Sequence, residues 1–182
     1  LGPGMGTHNS TKNLVRKLVL ESPVPLILDA DALNNLSADP AILKTTRTPK
    51  ILTPHPGEMA RLRGRDFADD PETRLKICQD FARKYGCVVL LKGRHTVVAS
   101  AEGRHYINRT GNVGMATAGA GDVLTGMITA LTGQGLAPFD AAKFGAYLHG
   151  LAGDMAAKKR GKTALIATDI IEHISAAFLA AR

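Results

Sequence analysis

Short apolar runs alternate with segments of helical spacing along the chain. Apolar residues at helical spacing over residues 14–20 predict a helix, and the next apolar run, residues 25–29 (PLILD), predicts a buried strand. Further strands are predicted over residues 50–53 and, in a strongly apolar run, over residues 88–91. Strands that alternate with helices favour a parallel sheet with crossover helices, so we predict an α/β fold.

The other segments fit the same plan. Asp70 is a good helix N-cap before residues 71–85, and Gly86 follows their end. The other predicted elements are a hairpin from residues 96–99 and 105–108, helices over residues 119–131 and 140–158, and a last helix capped by Thr168. No repeat or linker interrupts the chain, which predicts a single domain over residues 1–182.

Composition narrows the class of protein. Of the 182 residues, 45% are apolar and 21% charged, and no apolar run approaches the ~20 residues of a membrane span. Cys78 and Cys87 have no metal or redox spacing, so we expect free thiols and a cytoplasmic location. The net charge of +7 suits anionic small molecules or simply a solvated surface. Nucleic-acid binding is not expected, because no aromatic residues are interleaved with the basic ones.

The richest segment is residues 112–126, NVGMATAGAGDVLTG. Gly119 and Gly121 would let the backbone approach a ligand, and the following helix would point its free N–H groups at an anion. Asp122 at the helix start could accept a proton from a substrate hydroxyl. An ordinary glycine turn with Asp122 as a cap is an equal alternative from these residues alone.

Two further segments follow predicted strands, where open α/β sheets bind ligands. In LLKGRHT, Lys92 could reach a phosphate and Gly93 could pass beneath a nucleotide, although a solvated lysine is the simpler interpretation. In LTPHPGE, two prolines stiffen the loop around His55, which could contact a polar substrate. Glu58 could position a water, a metal or the loop itself.

Two weaker segments precede these. In LDADALN, Asp31 is most simply an N-cap, and Asp29 could face the site or bind Mg²⁺ through water. In GPGMG, the glycines could pack under a substrate or merely form a turn.

Taken together, the segments resemble the NAD(P)H-hydrate dehydratase family of the ribokinase-like superfamily. The matching stretches are LGPGMG, LILDADALN, LTPHPGEMARL, VVLLKGRHTVV, GNVGMATAGAGDVLTGMI and FGAYLHGLAGDMAA, in the family's order. The resemblance implies a three-layer α/β/α sandwich with a mostly parallel central sheet. It also implies dehydration of the S epimer of NADH or NADPH hydrate. ADP or ATP would phosphorylate the hydrate hydroxyl, and phosphate would leave as the ring double bond re-forms.

The resemblance also implies roles for individual residues. Asp122 would contact the hydrate as base, and Gly4, Gly6 and His55 would line the hydrate site. The implied adenine-nucleotide site consists of Lys92, Gly93, Arg94, His95, Thr96, Gly119 and Gly121. Mg²⁺ would offset the phosphate charge, without a dedicated carboxylate cage.

One departure from the family pattern concerns the start of the chain. Family members carry further strands before GPGMG, whereas this chain opens on Leu1, so we expect a missing N-terminal portion. The expected assembly partner is that portion or further copies of the chain in a homo-oligomer such as a tetramer. Functional pairing with an NAD(P)H-hydrate epimerase is also expected. The alternatives are a small-molecule kinase of the same superfamily, which would lack TPHPGE, and an inactive fragment with a structural or binding role.

Overall fold

The computed structural model describes residues 1–181, and these form two compact units. Unit 1 contains Leu1–Gly93 and Val97–Tyr106. Unit 2 contains Arg94–Thr96 and the chain from Ile107 onward. The single domain over residues 1–182 stays a prediction.

Unit 1 carries nearly all of a five-stranded sheet with strand order β1-β2-β3-β4-β5. Its elements are α1 (Asn9–Glu21), β1 (Leu26–Leu28), α2 (Ala30–Leu36), a 3₁₀ helix (Pro40–Lys44), β2 (Lys50–Leu52), α3 (Pro56–Arg63), α4 (Pro71–Tyr85), β3 (Val88–Leu91), β4 (Val97–Ala99) and β5 (His105–Ile107). The pairs β1–β2 and β2–β3 are parallel, and β4 runs antiparallel to β3. The predicted α/β class and the parallel part of the sheet are therefore confirmed.

Unit 2 is helical beyond the end of β5. It contains a 3₁₀ helix (Val113–Met115), α5 (Ala120–Gly133), α6 (Pro138–Arg160), α7 (Ala167–Glu172) and α8 (Ile174–Ala180). Its core is built from small and medium apolar side chains: Ala120, Met127, Leu148, Ala152, Ala156, Leu165, Ile170 and Ala177. Throughout residues 1–181, no helix is both long and apolar enough to cross a membrane.

Strands β2, β3 and β4 are buried along their whole length, β1 is buried over two of its three residues, and β5 is largely exposed. Leu28, Leu52, Val89 and Leu91 are fully shielded from solvent and pack with α1, α2 and α4 in one core. Lys50 at the start of β2 is a charged residue that is also buried. Its ammonium donates to the backbone carbonyls of Thr46 and Thr48 at 3.1 and 2.8 Å. Burial lowers the pKa of Lys50.

Some helix ends follow the sequence signals and others do not. The Asp70 side chain accepts from the Thr73 N–H at 2.9 Å, and Gly86 ends α4 in a left-handed conformation. The prediction that Asp31 caps a helix is wrong: Asp29 occupies the cap position, and Asp31 lies within the first turn. Asp31 instead accepts from the Gly6 N–H at 2.8 Å, so its carboxylate serves a tertiary contact.

The last predicted helix is also corrected. Thr168 lies inside α7, which begins after Ile166, and the Asp169 carboxylate accepts from the Ile166 N–H at 3.0 Å. The helical run is interrupted at His173, which separates α7 from α8. Asp169 is thus the residue that caps the helix, because a carboxylate three residues into a helix can reach back to the cap N–H.

Cys78 and Cys87 are free and buried, as the sequence predicts. Burial raises the pKa of each thiol to about 12.

Candidate functional site

The carboxyl ends of the parallel strands in unit 1 lead directly into the predicted motifs. Asp29 follows β1, Thr53 to His55 follow β2, and Lys92 follows β3. Backbone pairing continues past the strands, since the Thr53 N–H donates to the Leu28 carbonyl at 3.0 Å and the Lys92 N–H to the Pro54 carbonyl at 2.8 Å. The three motifs therefore share one edge of the sheet, where open α/β folds bind ligands.

The Lys92 ammonium lies between two buried carboxylates. Its Nζ is 2.6 Å from Asp29 Oδ1 and 3.8 Å from Glu58 Oε2. The Asp29 and Glu58 side chains are 1% and 5% exposed, and that of Lys92 is 20% exposed. These three groups sum to one negative charge, so a phosphate near Lys92 would meet carboxylates as well as the ammonium. A phosphate contact by Lys92 stays a prediction.

His55 is built into the start of α3. Its Nδ1 accepts from the N–H groups of Gly57 and Glu58 at 3.1 and 3.4 Å, and Glu58 Oε2 accepts from the His55 N–H at 2.7 Å. Glu58 Oε1 lies 3.3 Å from His55 Nε2. Since Nδ1 accepts, a neutral ring carries its proton on Nε2 and directs it to Glu58. This reciprocal cap is not among the predicted features, although glutamate three residues after the cap is its usual signal.

Glu58 thereby connects Lys92 with His55. The group Asp29–Lys92–Glu58–His55 is one chain of charged and hydrogen-bonding contacts along the strand ends. The His55 side chain remains 50% exposed, so its ring is held in place while part of it faces solvent. That combination suits a substrate contact, which remains a prediction.

The GPGMG segment is held by α2. The Gly6 N–H donates to Asp31, and Asn35 Nδ2 donates to the Gly6 carbonyl at 2.9 Å. Gly4 and Gly6 both have positive φ angles, of 69° and 73°, and Gly4 is exposed. Asp31 and Asn35 are one helical turn apart, so α2 presents an acceptor and a donor to the same backbone turn.

Arg74 is a buried residue at the end of β3 that the sequence analysis missed. Its Nη2 donates to the carbonyls of Leu91 and Lys92 at 3.0 and 3.1 Å, and its Nη1 pairs with Asp69 at 2.6 Å. Gly93 has a φ of 140°, which favours glycine, and a Cβ there would lie only 3.0 Å from this guanidinium. The signal was present, because Arg74 shares the buried stripe of α4 with Ile77 and Cys78.

Unit 2 holds the other predicted residues. Arg94 and His95 are exposed, and His95 has a positive φ of 56°, which turns the chain sharply before β4. The Asn108 N–H donates to the Thr96 carbonyl at 2.8 Å.

The glycine turn before α5 has the predicted form. Gly119 is the N-cap in a left-handed conformation, with φ of 82°, and provides no side chain to cap the helix. Gly121 lies in the first turn with Asp122, whose side chain is exposed. An uncapped helix start offers backbone N–H groups to an anion, and Asp122 places a carboxylate beside them.

The predicted residues thus fall into two sets. In unit 1 the motifs of His55 and Lys92 meet along the strand ends, and Gly6 is held by α2. In unit 2 Gly119, Gly121 and Asp122 form one turn. Within residues 1–181 no group of three or more His, Cys, Asp or Glu side chains could hold a metal ion. The ligand assigned to each residue remains a prediction.

Comparison with known proteins agrees with the motifs. Residues 1–176 match the family model described as NAD(P)H-hydrate dehydratase. A bifunctional NAD(P)H-hydrate repair enzyme of Moorella thermoacetica is 52% identical over 174 residues, which cover 96% of this chain and 33% of that protein. An ADP-dependent (S)-NAD(P)H-hydrate dehydratase of Neisseria meningitidis is 42% identical, with 93% of this chain and 59% of that protein covered. The chain thus spans about a third of the bifunctional relative's length.

Solved structures show the same fold. The ADP/ATP-dependent NAD(P)H-hydrate dehydratase of Bacillus subtilis, co-crystallised with ATP/Mg²⁺, superposes with a TM-score of 0.86 at 31% identity and covers all of this chain and 64% of its own. A ribokinase-like superfamily protein of Enterococcus faecalis superposes with a TM-score of 0.78 at 31% identity and covers 97% of this chain and 60% of its own. The predicted ribokinase-like fold is confirmed, and the chain belongs to the NAD(P)H-hydrate dehydratase family.

Proposed function

We propose that the protein dehydrates the S epimer of NADH or NADPH hydrate with ADP or ATP as the phosphoryl donor. The observation that carries the proposal is the turn before α5, where an uncapped helix start and the exposed Asp122 carboxylate stand together in a chain of the dehydratase family. Such a turn supplies both of the groups that phosphoryl transfer to a hydroxyl needs, an anion-binding backbone and a base.

In the proposed reaction Asp122 accepts the proton of the hydrate hydroxyl. The hydroxyl oxygen then forms a bond to the terminal phosphorus of the nucleotide, and the bond to the departing nucleotide breaks, which yields AMP from ADP or ADP from ATP. The C–O bond of the phosphorylated hydrate breaks next. Phosphate leaves, a proton is lost from the neighbouring ring carbon, and the ring double bond re-forms.

The backbone at Gly119 and Gly121 would stabilise negative charge on the phosphoryl oxygens, because helix N-termini favour anions. Lys92, Gly93, Arg94, His95 and Thr96 are proposed as the remaining nucleotide contacts. Gly4, Gly6 and His55 are proposed as the hydrate contacts. Mg²⁺ commonly binds through one or two carboxylates and the substrate's phosphates, so it would enter with the nucleotide and neutralise phosphate charge.

The proposal also covers the partners of the protein and its location in the cell. Functional pairing with an NAD(P)H-hydrate epimerase is part of the proposal, and it is supported by a relative that is a bifunctional NAD(P)H-hydrate repair enzyme. We also propose a cytoplasmic protein that assembles as a homo-oligomer, which light scattering after size-exclusion chromatography would test.

The direct test is recovery of NADH absorbance when the protein is mixed with NADH hydrate and ADP or ATP. Asp122→Asn should lower the rate about 100-fold, the range for loss of a general base. Asp122→Asn should still show a rise in melting temperature with ADP and Mg²⁺, because a ligand that binds the native state stabilises it. No NADH recovery with either nucleotide would refute the function, and near-parental turnover by Asp122→Asn would refute the base.

A further inference from the structure

Within unit 2, residues 108–115 lie along α6 and are bonded to it at successive turns. Asn108 Nδ2 donates to the Ala146 carbonyl at 3.1 Å, and Thr110 Oγ1 donates to the Tyr147 carbonyl at 2.8 Å. Both carbonyls lie within α6, and each can accept a second hydrogen bond because a carbonyl oxygen has two lone pairs. The loop therefore takes its path from this helix.

Asp154 makes the most specific of these contacts. Its Oδ2 accepts from the Gly111 N–H at 2.8 Å, and its Oδ1 accepts from Asn112 Nδ2 at 2.9 Å. The same Asn112 amide donates to the Gly153 carbonyl at 3.1 Å, while its oxygen accepts from the Gly114 N–H at 3.0 Å. One carboxylate thus fixes the Gly111 backbone directly and the Gly114 backbone through Asn112.

Small residues on α6 make the close approach possible. A Cβ on Gly150 would overlap Thr110, and a Cβ on Gly153 would overlap the Met115 side chain. Met115 also packs against the core of unit 2. Both ends of the segment are therefore anchored, one by hydrogen bonds to α6 and the other by a side chain that fits over Gly153.

The anchored segment leads straight into the turn before α5. Three residues separate Met115 from Gly119, the N-cap of α5. The buried His149 of α6 forms a hydrogen bond with the Ala120 backbone. Helix α6 thus contacts the chain before the turn, through Asp154 and Gly153, and within the turn, through His149.

We propose that Asp154 is a positioning residue for the turn that carries Gly119, Gly121 and Asp122. Its carboxylate sets the path of residues 111–115, and that path sets where the Asp122 carboxylate and the first N–H groups of α5 stand. The catalytic consequence rests on the proposed dehydratase function, whereas the structural consequence does not. Displacement of a reacting group by about 1 Å can cost about 100-fold in rate.

The test compares Asp154→Asn with the parent protein. Asparagine has the same shape as aspartate, but one of its two terminal side-chain atoms is a nitrogen that donates. That nitrogen would face the N–H of Gly111 or the amide of Asn112, so one hydrogen bond is lost. Amide hydrogen exchange should become faster in residues 108–115 and also in residues 116–122, with α4 unchanged. The turnover number kcat should fall about 10- to 100-fold, with a much smaller change in KM for the nucleotide.

Two further variants sharpen the comparison. Glu172→Gln removes an exposed carboxylate from α7 in the same unit and should match the parent in exchange and turnover. Asp154→Glu keeps the carboxylate and should recover part of the lost kcat.

Unchanged exchange in Asp154→Asn, or faster exchange confined to residues 108–115, would overturn the positioning role. Parental kcat in Asp154→Asn would do the same. An inactive parent protein would refute the proposed function instead, and the exchange comparison would still decide the role of Asp154.

Discussion

Replacing Lys92 with methionine tests the ionic group at the strand ends. The substitution keeps an unbranched side chain that is one atom shorter, but it removes the charge that lies 2.6 Å from Asp29 and 3.8 Å from Glu58. Both carboxylates are almost fully buried, and each would lose this nearby cation. Breaking a buried ion pair by removing one partner costs roughly 3–5 kcal/mol. Since 20% of the Lys92 side chain is exposed, we expect a loss near the lower end, about 3 kcal/mol.

Urea unfolding at constant pH measures this loss. With an m-value of about 2 kcal/mol/M, the midpoint for unit 1 should fall by roughly 1.5 M. The double variant Lys92→Met with Asp29→Asn should recover part of the loss, because it also removes one of the two buried carboxylates that lost the Lys92 charge. Lys76→Met is the matched control: its partner Asp80 is 3.8 Å away on the surface of α4, so the change should stay within about 1 kcal/mol.

A midpoint shift below about 0.5 M would refute the reasoning. The Lys92 ammonium would then not be needed by the buried carboxylates and would be free to serve a phosphate. A shift of the expected size has a practical consequence, because loss of nucleotide binding in any Lys92 variant would then reflect disruption of the strand ends as well as loss of a ligand contact.

Two further predictions concern buried titratable groups. Burial lowers the pKa of His149 from 6.5 to about 4, so between these pH values the unfolded chain binds a proton that the folded chain excludes. The free energy of unfolding should therefore fall by about 3 kcal/mol as pH drops through this window, and His149→Gln should abolish that part in urea titrations at several pH values. Because burial raises the pKa of Cys78 and Cys87 to about 12, native protein should react with a thiol reagent far more slowly than protein in urea, and rapid labelling of the native state would contradict their burial.

The sequence predicts well where one local signal decides the structure. The strands β1, β2 and β3 are short apolar runs that no helix pattern competes with, and α4 has both a cap and a terminal glycine. The start of α5 is also a local feature, because Gly119 adopts the left-handed conformation that begins the helix, although the role of Asp122 stays open from the sequence. In each case the residues that determine the conformation are neighbours along the chain.

The sequence predicts poorly where a side chain serves a distant partner. Asp31 carries an N-cap signal, but its carboxylate bonds to Gly6, which is 25 residues away. The ammonium of Lys92 pairs with Asp29 across 63 residues, a contact without a local sequence signal, while its phosphate contact stays a prediction. Arg74 shares the apolar stripe of α4, and Asp154 lies in the stretch FGAYLHGLAGDMAA, but neither pattern names a partner. Only the tertiary fold brings Arg74 to the end of β3 and Asp154 to residues 111–112.

The contacts between α6 and residues 108–115 also fix the number of residues in that segment. They fall at Ala146 and Tyr147, at Gly150, and at Gly153 and Asp154, spacings close to one helical turn of about 3.6 residues. Deleting or inserting one residue in this segment would move every later residue of it by up to ~3.5 Å along α6. Those residues would then no longer face their hydrogen-bond partners on the helix. The segment can therefore accept a different side chain at Val113, which is 78% exposed, far more readily than a different length.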